Sequence, residues 1–367
     1  MVDPRIEKLA KLCVQYSVAV KPKDKVLIRG SELSHPLMNE IYKECLLSDA
    51  DPLVLPLTDV DYTLYKYAKK RQLHQDLFRS VRKFILKKID VQITVLCDPN
   101  PKGLTGVEAA KIAMNTAAWK DVVDLFMKRE GAGELRWTLL PYPISSDAQE
   151  ASMALQEYED FVYSSCLVDR EDPVREWKKI RASQERICKY LNKADRVEIA
   201  GEDTDLVYSV KGRKWLNCGG DKNMPDGEVF TAPVENSVNG TVRFSYPGIY
   251  SGKEVEDITL TFKDGKVTRA KAAKGNELLQ EILKIEGADR IGEASVGTNY
   301  GITRFTKNML FDEKMGGTIH MALGASYPES RGLNKSAVHW DILKDMKKDG
   351  EIRADGKLIY KKGKFII

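Results

Sequence analysis

Near residue 195 the apolar spacing changes from strands alternating with helices to short runs of period two, which implies two kinds of sheet in one chain. Upstream, residues 4–19 carry Ile6, Leu9, Ala10, Cys13 and Tyr16 at helical spacing, so an amphipathic helix is expected there. "DKVLIRG" reads as a short buried strand ending at Gly30, and "SHPLMNEIYKECLLSDA" as a helix with Ser34 as its N-cap. "DPLVLPL" and "DVQITVLCD" read as two more buried strands with helical segments between them. Strands that alternate with helices imply parallel βαβ units. "EWKKIRASQERICKYLNKA", residues 176–194, is a long amphipathic helix that ends or bridges this first domain.

Downstream, "DRVEIAG", "DLVYSVKGRKWLNC", "TVRFSYPGIYSG" and "DITLTFKDGKVTRAKAAKG" are short strands with polar and apolar residues alternating. Asp264-Gly265 between "TLTFK" and "KVTRA" is a strong two-residue hairpin signal, and Asn239-Gly240 a weaker turn signal. "NELLQEILKIEGA" is one helix within this region, and the Asp-Gly turns of the charged tail make it closing hairpins. The expected fold class is α/β. It combines an N-terminal βαβ-type parallel-sheet domain, residues 1–194, with a mainly antiparallel β (α+β) domain, residues 195–367.

Charge and cysteine usage exclude several function classes. The 58 basic residues exceed the 54 acidic ones by only four, and no dense Lys/Arg block is interleaved with aromatics, so neither nucleic acid nor a membrane is expected as a partner. The six cysteines are scattered with no CxxC pair, as for reduced core thiols of a cytoplasmic protein. The N-terminus has no uninterrupted apolar stretch of signal-peptide type, and no later run is long and apolar enough to span a bilayer.

The chain has four histidines, and "GTIHMALGASYPESRGLNKSAVHWD" holds two of them, His320 and His339. On a strand, His339 and Asp341 point to the same face and can reach one point together. Imidazole nitrogen and carboxylate oxygen are common ligands for zinc-like ions. The pattern alone also fits a surface pair or a hydrogen-bonded core pair. His320 lies in an alternating apolar segment and is expected on a strand, whereas His35 and His74 have no such context. Glu228 follows a Pro-Asp-Gly turn and Glu293 follows a glycine, both in the same β-rich half. A two-metal site needs several carboxylates, since each divalent ion must be partly neutralised and one carboxylate commonly bridges. Two Glu, two His and one Asp form such a set.

"NMPDGEVFTAPVENSVNGTVRF", "IGEASVGTNYGI", "NMLFDEKMGGTIHMALGASYPE" and "SAVHWDILKDM" resemble, in order, the corresponding blocks of the M29 family of metallo-aminopeptidases. The resemblance covers essentially the whole chain, more loosely in the N-terminal half. It implies a dinuclear site held by Glu228, Glu293, His320, His339 and Asp341, with Tyr327 pointing into it as a catalytic or weakly ligating phenol. The implied reaction is hydrolysis of the N-terminal residue from peptides with a free N-terminus, by a water activated by two metals. The implied cofactors are two divalent ions, zinc or cobalt foremost, with magnesium or manganese as alternatives. Glu228 or Glu293 would shuttle the proton, and a homodimer is implied. The short 328–338 connection, where many members have an insertion, bears on the rim of the site and so on substrate length. The other readings are a metallo-amidase or dipeptidase on a different substrate, and a non-catalytic metal-stabilised binding protein.

Overall fold

The structure, a computed structural model, describes residues 3–367 and divides into two compact units. One comprises the chain up to Val174 together with Asp221–Met224, and the other Arg175–Gly220 with Pro225–Ile367. The first unit is built on four parallel strands, β1 (Lys25–Ser31), β2 (Asp51–Leu57), β3 (Val91–Leu96) and β4 (Arg136–Pro141), in the order β2-β1-β3-β4. The two central strands are apolar and buried, with Val26, Leu27, Ile28, Val91 and Ile93 all at most 1% exposed. β2 departs from the expectation of a buried strand, because none of its residues is fully buried. It is an edge strand, where Pro52 and Pro56, which lack an N–H to donate, are tolerated. Ser34 flanks the helix His35–Leu47 as expected, but its hydroxyl donates to the Ser31 carbonyl and caps nothing.

All neighbouring strands in the second unit are antiparallel. An eight-stranded sheet runs from Lys266–Lys271 at one edge to Lys364–Phe365 at the other. Asp264 and Gly265 form the expected hairpin turn, with φ of 49° and 80°. Positive φ at both positions is what a turn matched to the strand twist requires. Asn239-Gly240 is not a turn, since both residues lie in the strand Asn239–Arg243. The five-stranded sheet has the order His339–Asp345, Thr318–Gly324, Ile291–Gly297, Glu228–Thr231, Leu216–Cys218.

One apolar core joins these two sheets with the helices Pro173–Leu191 and Asn276–Leu283. Ile187, Cys188, Leu191 and Ala194 belong to that core. The units therefore divide at Arg175 and not at the expected 194/195, and the long amphipathic helix goes with the β-rich unit. Burial fixes its allegiance, since a side chain of the size of Ile187 or Leu191 removed from water contributes roughly 1.5–3 kcal/mol.

Candidate metal centre

Strand register collects the candidate residues on one sheet face. Glu228 opens its strand opposite Gly297, and Gly297, Ser295 and Glu293 alternate onto the same side of the next strand. Ser295 lies opposite His320, and His320 opposite Leu343, which shares its face with Asp341 and His339. Gly292 allows Glu293 its place. A register shift falls between Ile291 and Glu293, and a Cβ at Gly292 would collide with the carbonyl oxygens of Gly324 and Ala325.

The side chains converge. His320 Nε2 lies 3.5 Å from Glu228 Oε2, 3.4 Å from Glu293 Oε1 and 3.8 Å from Asp341 Oδ1. His339 Nε2 lies 3.3 Å from Glu293 Oε2 and 3.5 Å from Asp341 Oδ1. Glu293 thus faces one imidazole with each oxygen. Ligand-type atoms of Glu228, Glu293 and His320 lie within 4.8 Å of one another, as do those of Glu293, His339 and Asp341, so two triads share Glu293.

Both rings are oriented from behind. His320 Nδ1 lies 2.9 Å from the Glu313 carbonyl oxygen, and His339 Nδ1 2.9 Å from that of Ala325. A carbonyl only accepts, so each Nδ1 carries the hydrogen and each Nε2 is turned to the carboxylates. Ser295 Oγ donates to Glu228 Oε2 at 2.7 Å, and Gln184 Nε2 donates to the Glu228 carbonyl at 2.9 Å. Asp341 Oδ1 is buried without a hydrogen bond of good geometry.

The electrostatics follow from this crowding. Burial opposes charge on His320, but Glu293, Glu228 and Asp341 outweigh it and raise the ring to about 10. His339 is likewise raised to about 11 by Asp341 and Glu293, against burial. Burial lifts the Glu228 carboxyl to about 8, with Lys314 and His320 opposing. For Asp341, burial acts upward, yet His339, His320 and Lys314 hold the carboxyl below its ordinary value.

Tyr327, 45% exposed, follows the His320 strand by three residues in extended backbone. Its ring packs edge-on against His339, with centroids 4.9 Å apart, and against Phe230 at 5.7 Å. Burial of part of the ring, then the charges of Glu293 and Asp341, raises its phenol, which stays protonated.

Two charged residues here went unnoticed in the sequence. Lys314 is wholly buried and pairs with Glu313, whose carboxylate in turn reaches within 4.8 Å of ligand-type atoms of His320 and Asp341. Burial would strip the Lys314 charge, but Glu313, Glu228 and Asp226 keep it protonated. The only local signal was an acid-base pair in "FDEKMGG", which is what an exposed loop also looks like. Neither His35 nor His74 takes part in the clusters of metal-binding type among the described residues.

The donor set fits a divalent cation: a buried carboxylate oxygen without a hydrogen bond, further carboxylates at short range, and imidazole nitrogens oriented by backbone carbonyls. Sequence comparison agrees with this chemistry. Aminopeptidase 2 of Geobacillus stearothermophilus is 26% identical over 97% of this chain and 95% of its own length. Aminopeptidase T of Thermus thermophilus is 30% identical over 66% of this chain and 68% of its own. The solved structure of wild-type AmpT from Thermus thermophilus shares the fold, with a TM-score of 0.86 and 22% identity over 99% of both chains. A family model described as thermophilic metalloprotease (M29) matches residues 2–365, and the chain belongs to that family.

Proposed function

We propose that the chain is a metal-dependent aminopeptidase that removes the N-terminal residue from peptides, using two divalent ions held by Glu228, Glu293, His320, His339 and Asp341. The observation that carries the two-ion reading is Glu293, which turns one oxygen toward each imidazole and so belongs to both triads. Zinc or cobalt suits this nitrogen and oxygen set best, with magnesium or manganese as alternatives. Such ions, when bound, polarise a scissile carbonyl and lower the pKa of water.

The chain's own residues account for the remaining requirements. Carboxylates at the site attract a free α-ammonium, which an N-blocked or internal peptide does not offer. The protonated phenol of Tyr327, beside His339, donates a hydrogen bond to the oxyanion that develops on the scissile carbonyl. A carboxylate carries the proton to the leaving amine, with Glu228 and Glu293 the candidates on the strands and Glu313 a third. The six cysteines are free, which suits a reducing, cytoplasmic setting. The homodimer is tested by light scattering of the purified chain.

The activity is tested on one preparation. Extended chelation is expected to abolish cleavage of an aminoacyl reporter, and added zinc or cobalt to restore it. Equal cleavage of the N-acetylated reporter would favour an amidase of another class. A chain that unfolds on chelation and never cleaves would be a metal-stabilised binding protein.

A further inference from the structure

The first unit contains a second buried group of like charges, of opposite sign to the metal centre. Arg29 on β1 is half-buried, and Arg82 on the helix Asp76–Leu86 is 6% exposed. Among the described residues no carboxylate lies within ion-pair distance of either, and the Arg29 side chain makes no hydrogen bond. Arg82 Nη2 donates to Gln92 Oε1 at 3.1 Å, while its Nη1 is buried with no partner. Gln92 Nε2 in turn donates to Thr94 Oγ1 at 3.5 Å, which leaves the threonine O–H free to donate elsewhere. The two guanidinium groups feel each other. Burial pulls both below the ordinary arginine value, and the charge of Arg29 adds to the effect on Arg82, which falls to about 10.

The place in the fold is informative. In register, Leu27 lies opposite Gln92 and Arg29 opposite Thr94, so these four share one face of the sheet. Leu27 packs with Leu86 and Val122, which identifies it as the face covered by the helices Asp76–Leu86 and Lys120–Gly131. Arg29 and Thr94 each stand two residues before the end of their strand. The chain leaves β1 for β2 on one side and returns to β3 on the other, so the gap between β1 and β3 is where the strand order reverses. In open parallel sheets, ligands bind outside the carboxyl ends of the strands at such a point.

We propose that Arg29, Arg82 and Thr94 form a binding site for a phosphate-class oxyanion at the carboxyl ends of β1 and β3. Two guanidinium forks match the charge of a phosphate dianion and can engage its oxygens in pairs, with the threonine hydroxyl as a further donor. A monocarboxylate would leave one positive charge uncompensated. The ligand is either inorganic phosphate or the phosphate group of a small monoester.

Calorimetric titration of the full chain with inorganic phosphate, with glycerol phosphate and with acetate, at ionic strength fixed by chloride, tests this. Saturable binding of a phosphate compound is expected, and whichever of the two binds tighter identifies the source. Arg29→Met and Arg82→Met should each weaken it by roughly tenfold to a hundredfold, the usual effect of losing a charge-assisted contact. Phosphate held anywhere else, the metal centre included, would survive both substitutions and overturn the assignment. So would acetate binding as tightly as phosphate, or no phosphate binding up to about 10 mM. Hydrogen exchange on the parent chain gives a readout that needs no variant. Phosphate should protect β1, β3 and the helix Asp76–Leu86, and protection confined to other segments contradicts the site.

Discussion

Glu228, Glu293 and Asp341 in the second unit and Arg29 and Arg82 in the first are both groups of like charge withdrawn from solvent, yet they are stabilised differently. The acidic group carries its own counter-charges, since His320 and His339 lie among the carboxylates and Lys314 stands beside Glu228. The basic group has only the neutral Gln92 and Thr94. An interior charge without a partner is costly, so the sign of the excess indicates the sign of what binds. The second unit can therefore fold with protons standing where cations go, whereas the first has no internal substitute for an anion. The scaffolds differ in the same way. Antiparallel register places the three acids and two histidines across four adjacent strands of one sheet face, while the arginines come from one strand and one helix, 53 residues apart in sequence.

The largest effect expected on folding comes from Lys314. Lys314→Met takes the buried ammonium away from Glu228, Glu313 and Asp226, and loss of one partner from such a group typically costs about 3–5 kcal/mol. Thermal melts of the chelated variant against the chelated parent measure it. An unchanged melting temperature would mean that the carboxylates do not depend on this ammonium.

If Tyr327 is the oxyanion donor, Tyr327→Phe should act on rate and leave folding alone. Removing an oxyanion donor should lower kcat by about 10²–10³, or roughly 3–4 kcal/mol, with metal content and melting temperature near the parent values. KM should change far less than kcat. A kcat within about threefold of the parent at full metal occupancy would reduce Tyr327 to a packing partner of Phe230 and His339.

A smaller and more graded effect is the dependence of stability on pH, which should differ with and without metal. In the chelated chain His320 is raised from 6.5 to about 10 and His339 to about 11, so the folded state binds protons that the unfolded state releases. That stabilisation is complete below about 6.5 and is lost as pH rises through the folded values. Glu228, raised from 4.5 to about 8, acts in the same direction. Cation binding instead expels these protons, so metal affinity should climb with pH. Melts between about pH 6 and 9 should fall for the chelated chain and hold or rise for the loaded one. Parallel curves would break the link between the protons and the cations.

Legibility in the sequence followed the range of the interactions. The hairpin at Asp264-Gly265 was readable because two adjacent residues alone demand positive φ. The pairing of His339 with Asp341 on one face was readable because strand periodicity is local. The same dipeptide logic failed at Asn239-Gly240, where pairing with strands Thr204–Ser209 and Thr259–Lys263 overrides the turn preference. β4, "RWTLLP", escaped notice because Trp and Thr are its only strand-favouring residues and it ends in proline. Placing the long helix with the wrong unit had the same origin, since amphipathicity shows that a face is buried and not against what. Lys314 and the Arg29–Arg82 pair were illegible for a stronger reason. A buried cation is defined by what surrounds it, and no neighbour in sequence reveals that.

The metal-to-chain ratio of Glu293→Gln, set beside those of Glu228→Gln and Asp341→Asn, tests the shared-carboxylate account most directly. If Glu293 serves both triads, its substitution should take the ratio from about two to near zero, while each of the others removes about one ion. Elemental analysis after identical loading and dialysis gives the three numbers. A Glu293→Gln chain that keeps one tightly held ion, or a parent that never exceeds one, would contradict a bridged pair at this site.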